Sequence, residues 1–462
     1  MGATGSSGEG RSAQPRNGLG AWARVFRPAL HVPAGVGAAT AAPWCPLPGD
    51  LRAAWASALV MLPQGIAFAL LAGLPPETGI YASVVPVVVA SLLGPSAVLL
   101  SGPNTAVAMM LGIALAPLGV PGSGDYLLLA ATLTALVGAF QLAAACCGLG
   151  RFLALMPDCA ATGLGIGIGL LMLCGQVAPA MGLLGAPESP AWAAPWISLQ
   201  RWRDASPWAL GVALAAVAGG QLFARLRKPW MPSLVAAMLC GAAAGWLLDL
   251  FAGGDASALE RVGHLRLGVQ GPRWPFIAAD ELYVLKQLVL GAAGIAAVGG
   301  LQSVIILRAV APEAGPRACR RELLAQGCSN LAASLVGGFA CSGSFNRTAA
   351  HVEAGARTRW AALLSCAFLL LLAWIASPLL GRMTHAAIAG TLMLVGWRML
   401  QAGWQSALRE RGFERWAALA LGLSVPIAGI EAALMLAVSL VIVQLVRERG
   451  PGRDPAGHAA ED

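Results

Sequence analysis

The stretch Ser342-Gly-Ser-Phe-Asn-Arg-Thr-Ala-Ala-His-Val-Glu-Ala-Gly-Ala356 sets an Arg, a Glu, a His and three hydroxyl side chains among segments that are otherwise almost wholly apolar. A charge at bilayer depth costs about 2.5–3.5 kcal/mol even on lenient insertion scales, so Arg347 marks a pathway or a binding site. Gly337-Gly338 and Ser342-Gly-Ser344 interrupt the chain just before it. A short helix is left from Phe345 onward, with free backbone N–H groups at its start. A helix N-terminus beside an arginine inside a membrane is a site for an anion.

The surroundings of this stretch exclude a soluble globular protein. Of 462 residues, 57% are hydrophobic and 11% charged, and the mean hydropathy is +0.70. At about 20 apolar residues per crossing, about fourteen spans fit, several of them short. They run over 51–72, 79–94, 104–118, 126–148, 158–182, 206–224, 231–252, 282–308, 322–338, 345–353, 360–380, 384–401, 414–426 and 428–446. The longest polar break, 253–281, leaves equal numbers on each side. An odd number per half turns the second half upside down relative to the first, the inverted-repeat plan of secondary transporters. The expected fold is therefore an all-α integral membrane protein with 14 transmembrane segments in a 7+7 inverted repeat.

The third element of each half is anomalous. One begins at Ser101-Gly-Pro-Asn-Thr105, the other at Ser342-Gly-Ser-Phe-Asn346. Short, Gly-interrupted spans at matching positions point to a midplane site, their N-termini facing each other from opposite leaflets. Each N-terminus carries about half a positive charge. Gly and Pro that merely let helices pack closely would explain one such element more readily than a matched pair.

The net charge of +8 reads as cytoplasmic-loop arginine rather than as a nucleic-acid surface. With fourteen spans, the clusters at 225–228, 317–321, 357–359 and 409–415 fall on one side, which places both termini in the cytoplasm. Most of the fifteen Trp lie near span ends, as interfacial belts require. The ten Cys show no C-x-x-C spacing and read as small hydrophobes, so neither a metal nor a disulfide is expected. Residues 1–48 lack an apolar core and read as a disordered tail, and 447–462 as a short polar one. There is no H-E-x-x-H, no G-x-S-x-G and no pair of carboxylates within one span. An enzyme is not expected, nor a cofactor.

Several of these motifs resemble the SulP family of anion transporters. Leu62-Pro-Gln-Gly-Ile-Ala-Phe-Ala-Leu-Leu-Ala-Gly-Leu-Pro-Pro76 followed by Gly79-Ile-Tyr-Ala-Ser83 is similar to the family's opening signature. Ser101-Gly-Pro103 resembles its third-span start. Glu322-Leu-Leu-Ala-Gln-Gly327, Asn330, Gly343-Ser-Phe-Asn-Arg-Thr348 and Glu353-Ala-Gly-Ala-Arg-Thr358 resemble its ninth and tenth spans. The resemblance covers about residues 49–446. It implies a core domain (49–148 and 282–380) that holds the substrate and moves like an elevator. The gate domain (149–252 and 381–446) would carry homodimer contacts.

Carried over residue by residue, the substrate site would comprise Gln64 and Phe68, then Pro103, Asn104 and Thr105, then Gln302, and finally Phe345, Asn346 and Arg347. Two departures stand out. Many bacterial members have an Asp or Glu on span eight where this chain has Gln302, which neither titrates nor supplies a charge for Na⁺. Other carboxylates are Glu353, Glu431 and Asp158, with Glu353 a candidate partner of Arg357. Family members also often continue into a cytoplasmic STAS domain, whereas only 447–462 follow the last span here, so either a member lacking STAS or a truncated chain is expected.

The expected function is secondary transport of a small inorganic anion, sulfate or bicarbonate ahead of C4-dicarboxylate and chloride. Alternatives are an uncoupled uniporter or channel-like pathway and a nucleobase permease; a non-transporting membrane scaffold would leave the two broken helices unexplained. The expected location is a bacterial inner membrane.

Overall fold

The computed structural model describes residues 48–148, 158–183, 193–226, 233–252, 259–263, 282–311, 314–410 and 412–449. Residues 1–47, 450–462 and most of the 253–281 break lie outside these residues. Fourteen α-helices occur among the described residues. The first half contains α1 (Pro48–Leu71), α2 (Pro76–Leu93), α3 (Thr105–Leu115), α4 (Gly124–Cys146), α5 (Asp158–Ala180), α6 (Ala194–Gln200), α7 (Pro207–Leu226) and α8 (Ser233–Ala252). The second contains α9 (Leu282–Val310), α10 (Pro316–Leu335), α11 (Phe345–Glu353), α12 (Arg359–Leu380), α13 (His385–Arg409) and α14 (Phe413–Arg449). Helix α14 is two helices joined at Gly429, whose φ of 87° breaks the helical path. Helix α6, seven residues long, is too short to cross a bilayer. With α6 set aside and α14 taken as two, the spanning elements match the inverted plan.

Eight of the described helices are long and apolar enough to cross a membrane. Helices α3 and α11 have only eleven and nine residues. Each starts at a break where the chain forms a two-residue strand: β1 (Ser101–Gly102) before α3, and β2 (Ser342–Gly343) before α11. The strands pair antiparallel, Ser101 opposite Gly343 and Gly102 opposite Ser342. This pairing satisfies backbone groups that would otherwise be orphaned at bilayer depth.

The remaining ends are set by local chemistry. Ser123 and Thr384 cap α4 and α13 by accepting from the Tyr126 and Ala387 amides. Helix α10 begins six residues before the expected 322, because Gly315-Pro316 supplies the start and its polar first turns, rich in arginine, are helical too. Buried Asp50 in α1 accepts from the Arg357 and Thr358 amides and the Thr358 hydroxyl, tying α1 to the start of α12.

Helices α1–α4 pack chiefly on one another and on α9–α12, while α5 packs on α13 and α14, and α7 on α8 and α13. Close approach depends on glycine. A methyl group at Gly79 in α2 would fall on the Gly65 carbonyl oxygen of α1. Gly79→Val is therefore expected to destabilise the protein by about 1–3 kcal/mol, the usual cost of overpacking. Thermal unfolding in detergent would read this as a lowered midpoint, and an unchanged midpoint would contradict the packing described.

Candidate functional site

A cavity of about 730 Å³ lies where α1, α3, α9 and α11 meet α5, α8 and α13. Of the residues singled out in the sequence, Gln64, Phe68, Asn104, Thr105 and Gln302 line it. Pro103 precedes the α3 cap and is not on the wall. The side chains of Phe345 and Asn346 lie outside the described residues, although their backbone starts α11. Ser344, which precedes them, lines the cavity.

Asn104 makes contacts on three sides. Its Oδ1 accepts from the Val107 amide at 3.0 Å and caps α3. Its Nδ2 donates to Ser342 Oγ and to the Gly343 carbonyl across the strand pair. Ser342 Oγ in turn donates to Gln302 Oε1 at 3.4 Å. The Gly343 amide donates to Ser303 Oγ at 2.8 Å, which holds β2 against α9. One polar chain thus links the start of α3, β2 and α9. The two broken ends differ: α3 has a side-chain cap, whereas Ser344 gives α11 none. The first amides of α11 therefore keep more of their positive character.

Arg347 lies one layer behind the wall. It is 1% exposed and is among the largest fully buried side chains of the described residues. Its Nε donates to Gln64 Oε1 at 3.2 Å. Its Nη1 and Nη2 have no hydrogen-bond partner. The guanidinium occupies the space that a side chain at Gly102 would need. Gly102 sits at φ 149°, where side chains are rarely accommodated. No ion pair joins Arg347 to Glu353, and none joins Glu353 to Arg357. Glu353 is exposed and lines the cavity. The side chains of Asp158 and Glu431 lie outside the described residues.

Sequence reasoning overlooked the opposite wall. There α13 presents Arg398, Gln401 and Gln405 to the cavity. Arg398 Nη1 donates to Ser233 Oγ of α8 at 2.8 Å, while its Nη2 is buried without a partner. The i, i+3, i+7 spacing of these polar residues along an otherwise apolar helix was the available signal.

The sequence model of the sulfate permease family matches residues 47–414. The chain belongs to this family. A probable sulfate transporter of Mycobacterium tuberculosis (strain CDC 1551 / Oshkosh) is 30% identical over 403 residues, which cover 87% of this chain and 70% of the relative. A bicarbonate transporter of Picosynechococcus, BicA, is 25% identical over 75% of this chain and 61% of its own length. Among solved structures, the transmembrane domain of a cyanobacterial BicA superposes with a TM-score of 0.72 at 23% identity, over 85% of this chain and 97% of that one. Murine Slc26a9, an anion transporter captured inward-facing, gives 0.77 at 17% identity, over 96% of this chain and 74% of that one. These likenesses show the fold. The sulfate permease family comprises multi-pass membrane transporters of anions, not enzymes.

Proposed function

We propose that this protein is a secondary transporter of a small inorganic anion, with sulfate or bicarbonate as substrate, and that the cavity is its binding site. One observation carries the reading: a fully buried arginine has two unpartnered guanidinium nitrogens and is joined to the cavity wall through Gln64. A buried charge left uncompensated costs several kcal/mol. An anion in the cavity offsets that cost electrostatically, because a low-dielectric interior screens the Arg347 charge far less than water does. With Gln64 Oε1 taken by Arg347, the Gln64 amide N–H groups remain for the anion. The uncapped start of α11 adds dipole charge of the same sign.

Transport by movement of a core (49–148 and 282–380) against a gate (149–252 and 381–446) accords with the cavity's position between two sets of packed helices. The membrane-exposed aromatic and aliphatic side chains of α7 and α8 suit lipid and homodimer contacts of the gate. A bacterial inner membrane with cytoplasmic termini is part of the same proposal, supported by the mycobacterial relatives and the arginine bias. Counterflow of labelled sulfate and of labelled bicarbonate in proteoliposomes tests the reading. Failure of both anions to exchange would overturn it.

Coupling is the second part of the proposal. Gln302 lines the cavity, and its Oε1 accepts from Ser342. It offers Na⁺ one neutral oxygen and no charge. Anion flux is expected to change less than about twofold when Na⁺ is replaced by choline at fixed pH and potential. A steep, saturable Na⁺ dependence that vanishes in Gln302→Ala would contradict this. Glu353, exposed on the cavity wall, is the carboxylate placed to carry a proton. An uncoupled pathway is the second reading, favoured by the neutrality of Gln302.

A further inference from the structure

We infer that Arg398 on α13 contacts the transported anion directly from the wall formed by α5, α8 and α13, and that it sets preference between anions of different charge. The inference rests on the cavity being the anion site.

Arg398 lines the cavity together with Ser233 of α8 and with Gln401 and Gln405 of its own helix. Only part of its guanidinium is used by the protein. Nη1 donates to Ser233 Oγ at 2.8 Å, which fixes the plane of the group. Nη2 is buried and has no partner. The tethered guanidinium thus borders the cavity with donor capacity that the protein leaves unused, and a guanidinium is the group that oxyanions select, since two parallel N–H groups match two acceptor oxygens. The wall opposite carries Gln64, with Arg347 behind it, and the start of α11. An oxyanion in the cavity therefore meets positive character on both sides.

The two arginines differ in kind. Arg347 is sealed behind Gln64 and acts through its field, whereas Arg398 borders the space itself. Glu353, the last residue of α11, is the negative group on the cavity wall that an arriving anion must tolerate. Neither hydrogen bond nor ion pair connects it to Arg398. The competing role for Arg398 is a strut that holds α13 to α8 through Ser233.

Charge separates the two roles. Coulomb energy scales with ligand charge, so loss of one cation weakens a divalent anion by about the square of the factor for a monovalent one. Arg398→Gln, Arg398→Lys and Ser233→Ala would be compared with wild type in labelled sulfate and bicarbonate counterflow. In parallel, sulfate-dependent thermal stabilisation of the purified protein would be measured against sodium gluconate at matched ionic strength. Arg398→Gln is expected to raise the bicarbonate KM about threefold and the sulfate KM about tenfold, with maximal rates little changed. It should also abolish the sulfate stabilisation. Arg398→Lys should restore part of both, and Ser233→Ala should weaken sulfate mildly by freeing the guanidinium.

Equal factors for the two anions, or unchanged KM values with a lowered maximal rate, would assign Arg398 to the strut and overturn the inference. Should Arg398→Gln fail to fold, the Arg398→Lys and Ser233→Ala comparison reads the same charge and tether dependence. Wild-type protein that neither exchanges nor is stabilised by either anion would instead refute the site as a whole. Wild-type exchange with unaltered Arg398 variants refutes this inference alone.

Discussion

Replacement of Arg347 by alanine is expected to slow anion counterflow by about tenfold or more, equivalent to at least about 1.4 kcal/mol, while leaving a monodisperse, membrane-inserted protein. Two effects combine. The field of a buried cation leaves the cavity, and Gln64 loses the donor that holds its Oε1. The folded state loses little in exchange, because Nη1 and Nη2 bond to nothing in the protein. Lysine at this position should recover only part of the rate. It keeps a charge but lacks the planar fork whose Nε reaches Gln64. The measurement is the initial rate of labelled sulfate and bicarbonate exchange, normalised to reconstituted protein. Near-normal exchange by well-folded Arg347→Ala protein would remove the arginine from the transport mechanism.

An equally large effect is expected from Asn104→Trp, which should abolish exchange. The indole would project from the start of α3 into a cavity of about 730 Å³ and compete with the anion for it. Loss of the side-chain cap on Val107 adds about 1 kcal/mol of destabilisation. Asn104→Ser separates the two causes. Serine caps helices about as well as asparagine, yet it gives up the amide donations to Ser342 and Gly343. Its flux should stay within about threefold of wild type if volume is what matters. Wild-type exchange by Asn104→Trp would show that this position does not border the anion's path.

Much of this arrangement could be read from the residues. Helix α11 occupies 345–353 as the sequence indicates, because Gly and Ser interrupt the chain before it and Gly355, at φ 102°, follows it. Gln64, Asn104 and Gln302 came from the family resemblance, and all three line the cavity. The strand pair did not. Two residues have no period, and their partners lie in opposite halves of the chain. The start of α10 was set too late because hydropathy falls at the membrane boundary while backbone hydrogen bonding continues to Gly315-Pro316. Arg398 was hidden by its neighbours. Trp397 drew the helix toward an interfacial reading, and only the packing of α13 on α5 and α8 shows that its polar stripe faces inward. The seven-residue α6 fell below the length at which periodicity can be recognised.

The β1–β2 ladder also constrains how the molecule is made. Ser101 and Gly102 leave the ribosome roughly 240 residues ahead of their partners, which at 5–20 residues per second is a wait of about 10–50 s. Throughout that interval the nascent first half holds an open strand edge and an unengaged Asn104 amide. Unsatisfied backbone at membrane depth is costly. The first half must therefore either admit water, be sheltered by insertion machinery, or keep α3 at the interface until Ser342 and Gly343 arrive. The β1–β2 pairing is thus completed only once the second half has been made.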